Sequence, residues 1–329
     1  MKAQSWVLIQ PIQTLSTMPL HAAAAKSRVV LLVPTCNPGS SWSDFLTALQ
    51  NQQTPPSQVI VLDSESTDGS AQAAQALGHT VHTVQRSQFN HGGTRQAGLD
   101  QYAQSADFAV FLTQDAILAH PEALAQLLTA FDDPSVAAAY GRQLPHANAT
   151  PIAAHARFFN YPPVGHTVTL QDKAHKGIKT CFLSNSFAAY RLSALRQVGG
   201  FASDLILAED MHLTARLLLA GHAIRYQASA QVYHSHNYSL REEMARYFDT
   251  GVFHARQNWL MGTFGSAGNE GWKFMTSEIK YLWQHAPGDT PQALLRNFIK
   301  VAGFKLGRWS RVMPRAINKQ LSMHKGYWA

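Results

Sequence analysis

The sequence predicts an α/β fold with a Rossmann-like, mostly parallel sheet and a helical C-terminal extension. Three observations predict it. Continuous apolar runs at 29–33, 59–62 and 108–112 have the length and β-branched content of strands buried on both faces. Helix-forming stretches separate these runs, in the alternation that parallel strands require. Beyond Leu240 the strand signals stop and helical patterns take over.

The elements follow in order. Val29–Val33 is a strand ended by Pro34, and 43–53 is a helix stopped by Thr54-Pro55-Pro56. Val59–Leu62 is a second strand, followed by the polar turn 64–69 and an Ala-rich helix over 70–77. A third strand spans 80–84, a helix 93–105, and a fourth strand 108–112. The stretch 140–200 is rich in Pro, Gly and His and reads as less regular. A helix over 205–220 has Gly221 at its C-cap, and short strands at 223–226 and 230–233 close the series. Ligands of such sheets bind at the carboxyl ends of the strands. That rule selects Pro34-Thr35, Asp63 and Thr113-Gln114-Asp115.

Composition limits the function classes. With 46% hydrophobic and 14% charged residues, the chain is folded and not intrinsically disordered. No apolar run approaches the roughly 20 residues of a spanning helix, so no bilayer crossing is expected. Gln4, Gln10, Pro11 and Gln13 interrupt any export signal, and residues 1–27 read as a flexible extension with Met18 as an alternative start. Cys36 and Cys181 stand in unrelated contexts and suggest neither a disulfide framework nor a zinc site, which fits a reducing cytoplasm. The formal charge of +7 is local. Eight Lys or Arg and no Asp or Glu follow Thr290; removing those eight from 27 leaves 19 basic against 20 acidic groups. Such a tail points to a partner surface.

The strand ends Asp63 and Asp115 are the strongest chemical pair. One carboxylate can accept hydrogen bonds from a nucleobase or ribose; the other can hold a divalent cation against a diphosphate. Each could equally cap the helix that follows. His234 and His236 share one side of an extended segment, as metal ligands or as a surface pair. Glu209-Asp210 opens a helix, where acidic groups also complement the helix dipole.

In their order, several motifs resemble glycosyltransferase family 2 enzymes of the GT-A fold, the bacterial rhamnosyltransferases in particular. They are Val29–Thr35, Val61–Ser70, Phe89–Arg95, Leu112–Ala116, Ser184–Phe187, Gly199–Phe201, Ala208–Met211, Val232–His236 and Ser322–Trp328. The resemblance covers residues 28–329 and implies a catalytic domain over 28–239 with a helical basic region over 240–329. It implies that Pro34, Thr35, Asp63 and Asp68 border the nucleoside, with Asp63 nearest the base, and that Arg95 approaches the diphosphate. Gln114 falls in the donor site, and Asp115 becomes the ligand of Mg²⁺ or Mn²⁺. Family members usually carry Asp-x-Asp here; Thr113 replaces the first carboxylate. His234, or less readily His236, adds a ligand. Asp210 becomes the general base of an inverting transfer, supported by Glu209. The implied donor is dTDP-L-rhamnose and the implied acceptor a lipid-linked saccharide of surface polysaccharide synthesis.

Two rival readings accompany this one. Gly92-Gly93-Thr94-Arg95 resembles the phosphate loop of sugar nucleotidyltransferases, although that loop would directly follow the first strand, where Cys36-Asn37-Pro38-Gly39 stands instead. The other is a non-catalytic basic surface-binding protein. Ser184-Asn185-Ser186 could line a sugar pocket or form a turn. In the tail, Leu295, Ile299, Ala302, Leu306, Trp309 and Met313 form a helical stripe with Arg296, Lys300, Lys305, Arg308 and Arg311 off it; Gly303 and Gly307 weaken the helix. The stripe either packs on the catalytic domain or rests on an anionic membrane surface, making the protein peripheral at the inner face of the cytoplasmic membrane. No nucleic-acid-binding motif accompanies the charge.

Overall fold

The structure, a computed structural model, describes residues 27–329; residues 1–26 of the expected extension, Met18 included, lie outside them. Strands β1 (Val29–Thr35), β2 (Gln58–Asp63), β3 (Thr80–Thr83) and β4 (Phe108–Leu112) alternate with helices α1 (Ser41–Gln50), α2 (Ser70–Ala76) and α3 (His91–Tyr102). They pair in parallel in the order β3-β2-β1-β4. The apolar runs are strands because both sheet faces are covered. Leu32 and Leu62 pack with Leu99 of α3 on one face; Leu31 and Val33 pack with Trp42, Phe45 and Leu49 of α1 on the other. Burying one such side chain contributes about 1.5–3 kcal/mol.

The second half of the sheet is mixed. It holds β5 (Ile117–Leu118), β6 (Val136–Leu144), β7 (His166–Val168), β8 (Phe187–Arg191) and β9 (Ala223–Tyr233). The helices α4 (Ala123–Leu128), α5 (Pro151–Asn160), α6 (Lys173–Lys176), α7 (Leu192–Gln197) and α8 (Glu209–Leu219) connect them. The order continues β4-β8-β6-β9-β5, with β8 antiparallel to both β4 and β6, and β7 pairs with β9. The stretch expected to be irregular thus contains the strand β8 and most of β6. Their Ala-rich sequences, Val-Ala-Ala-Ala-Tyr and Phe-Ala-Ala-Tyr, hide them from a pattern search. Crowding explains the small residues: a Cβ on Gly141 would stand 2.3 Å from Phe187 Cδ1 and 2.7 Å from the Ala230 carbonyl oxygen. The two short strands expected at 223–233 are one strand, whose register against β6 shifts between Gly141 and Arg142. Helix α8 begins at Glu209 and not at Leu205, because Ala208 adopts a left-handed conformation (φ 59°) that ends the preceding turn.

The C-terminal part is helical, as expected: α9 (Leu240–Arg256), α10 (Asn258–Phe264), α11 (Glu270–His285), α12 (Thr290–Arg308) and α13 (Arg315–Leu321). A reciprocal Ser239–Glu242 capping box starts α9. The tail stripe is corrected. Helix α12 packs along α9 through Gly303 and Gly307 and against α11 through Asn297, whose side chain donates to Glu278; of the expected stripe, Leu306 and Met313 pack against the core while Leu295 and Trp309 are exposed. The glycines that argued against the helix let two backbones meet: a Cβ on Gly307 would stand 1.9 Å from the Phe248 carbonyl oxygen, and one on Gly251 2.2 Å from that of Phe304. Among the described residues no helix is long and apolar enough to cross a membrane.

Candidate active site

The carboxyl ends of β1 and β4 open on a cavity of about 900 Å³. Pro34, Thr35 and Cys36 lie on its rim with Gln114 and Asp115; Glu209, Asp210, His234 and His236 line it further in. Each sits there for a local reason. Thr35 and Asp63 are register partners, and the Thr35 hydroxyl donates to Asp63 Oδ1 at 3.3 Å. The Gln114 side chain accepts from the Cys36 amide (2.7 Å) and donates to the Cys36 carbonyl (3.3 Å), joining the two strand ends. Asp63 Oδ2 accepts from the Ser66 amide at 3.0 Å, so Asp63 is a buried brace beneath the rim.

Asp68 is displaced from its expected place. It is exposed, outside the cavity lining, and clamps two loops by accepting from the Gly39 amide (3.0 Å) and the Ser70 hydroxyl (2.6 Å). The Ser70 and Gly39 bonds hold its carboxyl below the ordinary range. Arg95 is also placed differently. It is 4% exposed, 3.1 Å from Glu209 Oε1, donates to the His91 carbonyl at 2.9 Å, and lies 5.9 Å from the Phe111 ring centre. Its Nη1 is held by Glu209 and the His91 carbonyl, so the guanidinium supports Glu209 while lining the cavity. Gly92 explains itself by packing, since a Cβ there would stand 1.8 Å from the Ala202 carbonyl oxygen. The Gly-Gly-Thr-Arg stretch is therefore a sealed helix start, with Asn90 Oδ1 accepting from the Gly93 amide, and not an open phosphate loop.

Glu209 and Asp210 differ in environment. The Glu209 carboxylate, 5% exposed, takes Arg95 and the Asn185 amide group (3.0 Å); the Tyr190 hydroxyl orients Asn185 at 2.7 Å. Burial opposes its ionisation, but Arg95, then His91 and Asn185, hold it below the ordinary range. Asp210 accepts from the Asn185 amide (3.1 Å) and the Met211 amide (2.8 Å), while burial and the neighbouring Glu209 charge push it up to about 7. Two adjacent carboxyl groups with separated proton affinities suit a support and a proton acceptor.

The metal-ligating residues converge. Asp115 Oδ1 lies 3.5 Å from His234 Nε2, Asp115 Oδ2 lies 3.7 Å from His236 Nε2, and one ligand atom from each of the three falls within 4.8 Å of the others. The tautomer of His234 follows from its neighbours. Gln143 Nε2 donates to Ser184, so Gln143 Oε1 is the acceptor that takes His234 Nδ1–H at 2.8 Å. The Nε2 lone pair then faces the Asp115 carboxylate, an acceptor against an acceptor, which a shared cation resolves. Burial lowers His234 and pushes His236 down to about 4, so both imidazoles are neutral ligands at pH 7. Burial alone would raise Asp115; His234 and then His236 outweigh it and hold the carboxyl well below the ordinary range. The residues present fit a divalent cation, and both histidines reach Asp115.

A family model described as glycosyltransferase-like family 2 matches residues 27–248. The O-antigen chain rhamnosyltransferase WbaN of Salmonella anatum is 48% identical over 299 residues, covering 91% of this chain and 95% of that protein. The chain belongs to glycosyltransferase family 2. The O-antigen chain rhamnosyltransferase RfbN of Salmonella typhimurium is 45% identical over 302 residues, with 92% and 96% covered. Among solved structures, the mannosyltransferase PcManGT from Pyrobaculum calidifontis, in complex with GDP-Man and Mn²⁺, superposes with a TM-score of 0.53 at 18% identity, over 92% of this chain and 85% of that one. S. aureus TarS 1–349 gives 0.52 at 16% identity, over 90% and 83%. The fold is GT-A, and the enzyme is a glycosyltransferase.

Several cavity residues of the enzyme lacked a sequence signal. Arg86, Arg157 and Arg246 line it from elements far apart in the chain. His324 arrives from the C-terminal end. Asp249 of α9, fully buried, accepts from the Met323 and His324 amides (2.9 and 3.0 Å), and His324 Nδ1 lies 3.3 Å from His91 Nε2. Arg256 stacks on Tyr327 and Trp328 and fastens the segment. The motif Ser322–Trp328 was the available clue, but only the packing gives its place.

Proposed function

We propose that the enzyme transfers L-rhamnose from dTDP-L-rhamnose to a lipid-linked saccharide, with inversion at the anomeric carbon. The observation that carries this reading is the placement of Asp210 and the Asp115–His234–His236 set on one cavity. The choice of rhamnose rests on the printed activities of the two Salmonella relatives.

In this reading the rim formed by Pro34, Thr35 and Gln114, braced by Asp63, receives the nucleoside. Asp115, His234 and His236 would hold Mg²⁺ or Mn²⁺, which when bound supplies the positive charge that stabilises a leaving diphosphate. Asp210 accepts the proton of the acceptor hydroxyl as its oxygen bonds to the anomeric carbon; the bond from that carbon to the donor diphosphate breaks, and the nucleoside diphosphate leaves with the electron pair. Glu209, fixed by Arg95 and Asn185, positions Asp210 and keeps its proton affinity high. Asp68 ties together the loops that carry Gly39 and Ser70.

The reading divides the chain at residue 239 into a catalytic domain and a helical basic region, with the enzyme peripheral at the inner face of the cytoplasmic membrane. Supporting this, Phe298, Trp309 and Val312 are 71%, 65% and 84% exposed beside Lys305, Arg308 and Arg311. Aromatic and basic side chains together suit an anionic lipid surface, with about 1 kcal/mol per cation near it.

The test is release of nucleoside diphosphate from dTDP-L-rhamnose, GDP-mannose, UDP-glucose and UDP-N-acetylglucosamine, with lipid-linked saccharide and Mg²⁺ or Mn²⁺ supplied. The expected result is preference for dTDP-L-rhamnose by about 10²-fold or more, as expected where buried polar groups read the donor. Equal or better turnover of another donor would overturn the choice of rhamnose.

A further inference from the structure

The transfer described so far leaves the segment Ser322–Trp328 without a task, although the protein ties it firmly to the cavity. Asp249 of α9 is fully buried, and its Oδ2 accepts from the amides of both Met323 and His324. Further along, Arg256 donates to the Tyr327 hydroxyl at 2.9 Å, and Arg315 Nε donates to the Trp328 carbonyl at 2.7 Å. These bonds fix the chain on both sides of His324. The result is that Met323 and His324 join the cavity lining, with His324 against His91.

His91 opens α3, and its ring meets that of His324 edge to face, with 4.6 Å between centres. The touching nitrogens are His91 Nε2 and His324 Nδ1, 3.3 Å apart. Burial lowers His91 and pushes His324 down to about 3, so both rings are neutral at pH 7. A neutral imidazole has one N–H and one bare nitrogen. When His91 Nε2 carries the shared proton, His91 Nδ1 is bare and His324 Nε2 carries a hydrogen; the opposite tautomers exchange these roles. Either way, the two outer nitrogens are one donor and one acceptor. Among the described residues neither outer nitrogen has a hydrogen-bond partner, and neither is fully buried. Sugar hydroxyls, each a donor and an acceptor at once, satisfy such nitrogens in either arrangement.

The position of the pair selects which sugar. Arg86 and Phe89, just before His91, line the cavity, and Arg86 donates to the Ser64 and Glu65 carbonyls (3.4 and 3.1 Å) just past β2, at the nucleoside end. The next residue, Gly92, faces Glu209: a Cβ there would stand 3.4 Å from Glu209 Cβ. The group that lies between a bound nucleoside diphosphate and the proton acceptor Asp210 is the sugar being transferred. We propose that His91 and His324 form a hydrogen-bonding pair for the hydroxyls of that sugar, with His324 a specificity-determining residue supplied by the C-terminal segment. This inference rests on the reading of the strand ends as the nucleoside site and of Asp210 as the proton acceptor; it does not depend on the sugar being rhamnose.

The test compares dTDP-L-rhamnose with dTDP, GDP-mannose with GDP, and UDP-glucose and UDP-N-acetylglucosamine with UDP. Each is titrated calorimetrically into the full chain with Mg²⁺ and no acceptor, and the affinity ratio within a pair gives the sugar's contribution. For the donor that the wild type uses, the ratio is expected to be about tenfold or more. His324→Ala and His324→Asn should each lower it about three- to tenfold, with nucleoside diphosphate affinity within about twofold. His324→Gln, whose amide reaches the place of Nε2, should keep more of it. The backbone anchors on Asp249 survive all three substitutions, which a thermal melt checks. Asparagine keeps a polar atom opposite His91 but none at the Nε2 position, so a wild-type ratio in H324N would assign His324 to packing and overturn the proposal. A loss shared equally by the nucleoside diphosphate would overturn it as well, as would a wild type in which no sugar adds affinity. A large ratio for a donor other than dTDP-L-rhamnose, lost in H324A, would remove rhamnose and support the role of His324.

Discussion

Asp210→Asn is expected to lower kcat by about 10²–10⁴-fold, the usual contribution of a positioned general base, with donor affinity within about twofold. The substitution keeps the size of the side chain and one acceptor for the Asn185 or Met211 amide, but removes the site that takes the proton. Its pH signature separates this role from a structural one. The working form of Asp210 is ionised, and its carboxyl is pushed up to about 7 by burial and by Glu209. Wild-type kcat/KM for the acceptor should therefore rise with pH through about 7 and level above it, and the residual activity of D210N should lose that limb.

Stability should move the other way. A carboxyl whose folded pKa lies above its unfolded value binds its proton more tightly in the native state, so its contribution falls as pH rises from about 4 towards 7. D210N removes that cost and should melt no lower than wild type above neutral pH. Full transfer by D210N would refute the assignment.

Asp115→Ala is expected to lower kcat by about 10²-fold or more, and to abolish tight Mn²⁺ binding to the nucleotide-bound protein, followed by the spin-resonance signal of free Mn²⁺. His234→Ala should weaken that binding strongly. Gln143→Ala should weaken it about 10–100-fold without touching a ligand, because it releases the His234 tautomer. Unchanged Mn²⁺ affinity in D115A would remove Asp115 from the site.

The parallel half of the fold was legible because β1, β2 and β4 are covered on both faces, and continuous apolar runs are what such burial demands. The strands β6 and β8 were not. They pass where side chains must be small, as Gly141 against Phe187 shows, and alanine carries little strand signal. Helix α12 misled for a related reason: its most buried positions are Ala293, Asn297, Gly303 and Gly307, while Leu294, Leu295, Phe298 and Val301 are exposed. In the site, Asp63 and Asp115 were readable as strand ends, and His234 and His236 as an alternating pair. The pairing of Arg95 with Glu209 was not readable, because sequence does not reveal burial. Arg157, Arg246 and His324 reach the cavity only through helix packing and the fastened C-terminal segment, contacts that no local pattern records.

Transfer in this enzyme is proposed as a single displacement at the anomeric carbon with Asp210 as proton acceptor. The most direct measurement is the anomeric configuration of the new glycosidic bond, read by proton and carbon NMR on product made by the wild-type enzyme. Configuration opposite to that of the donor is the predicted result. Retention would require a different chemistry and would contradict the account.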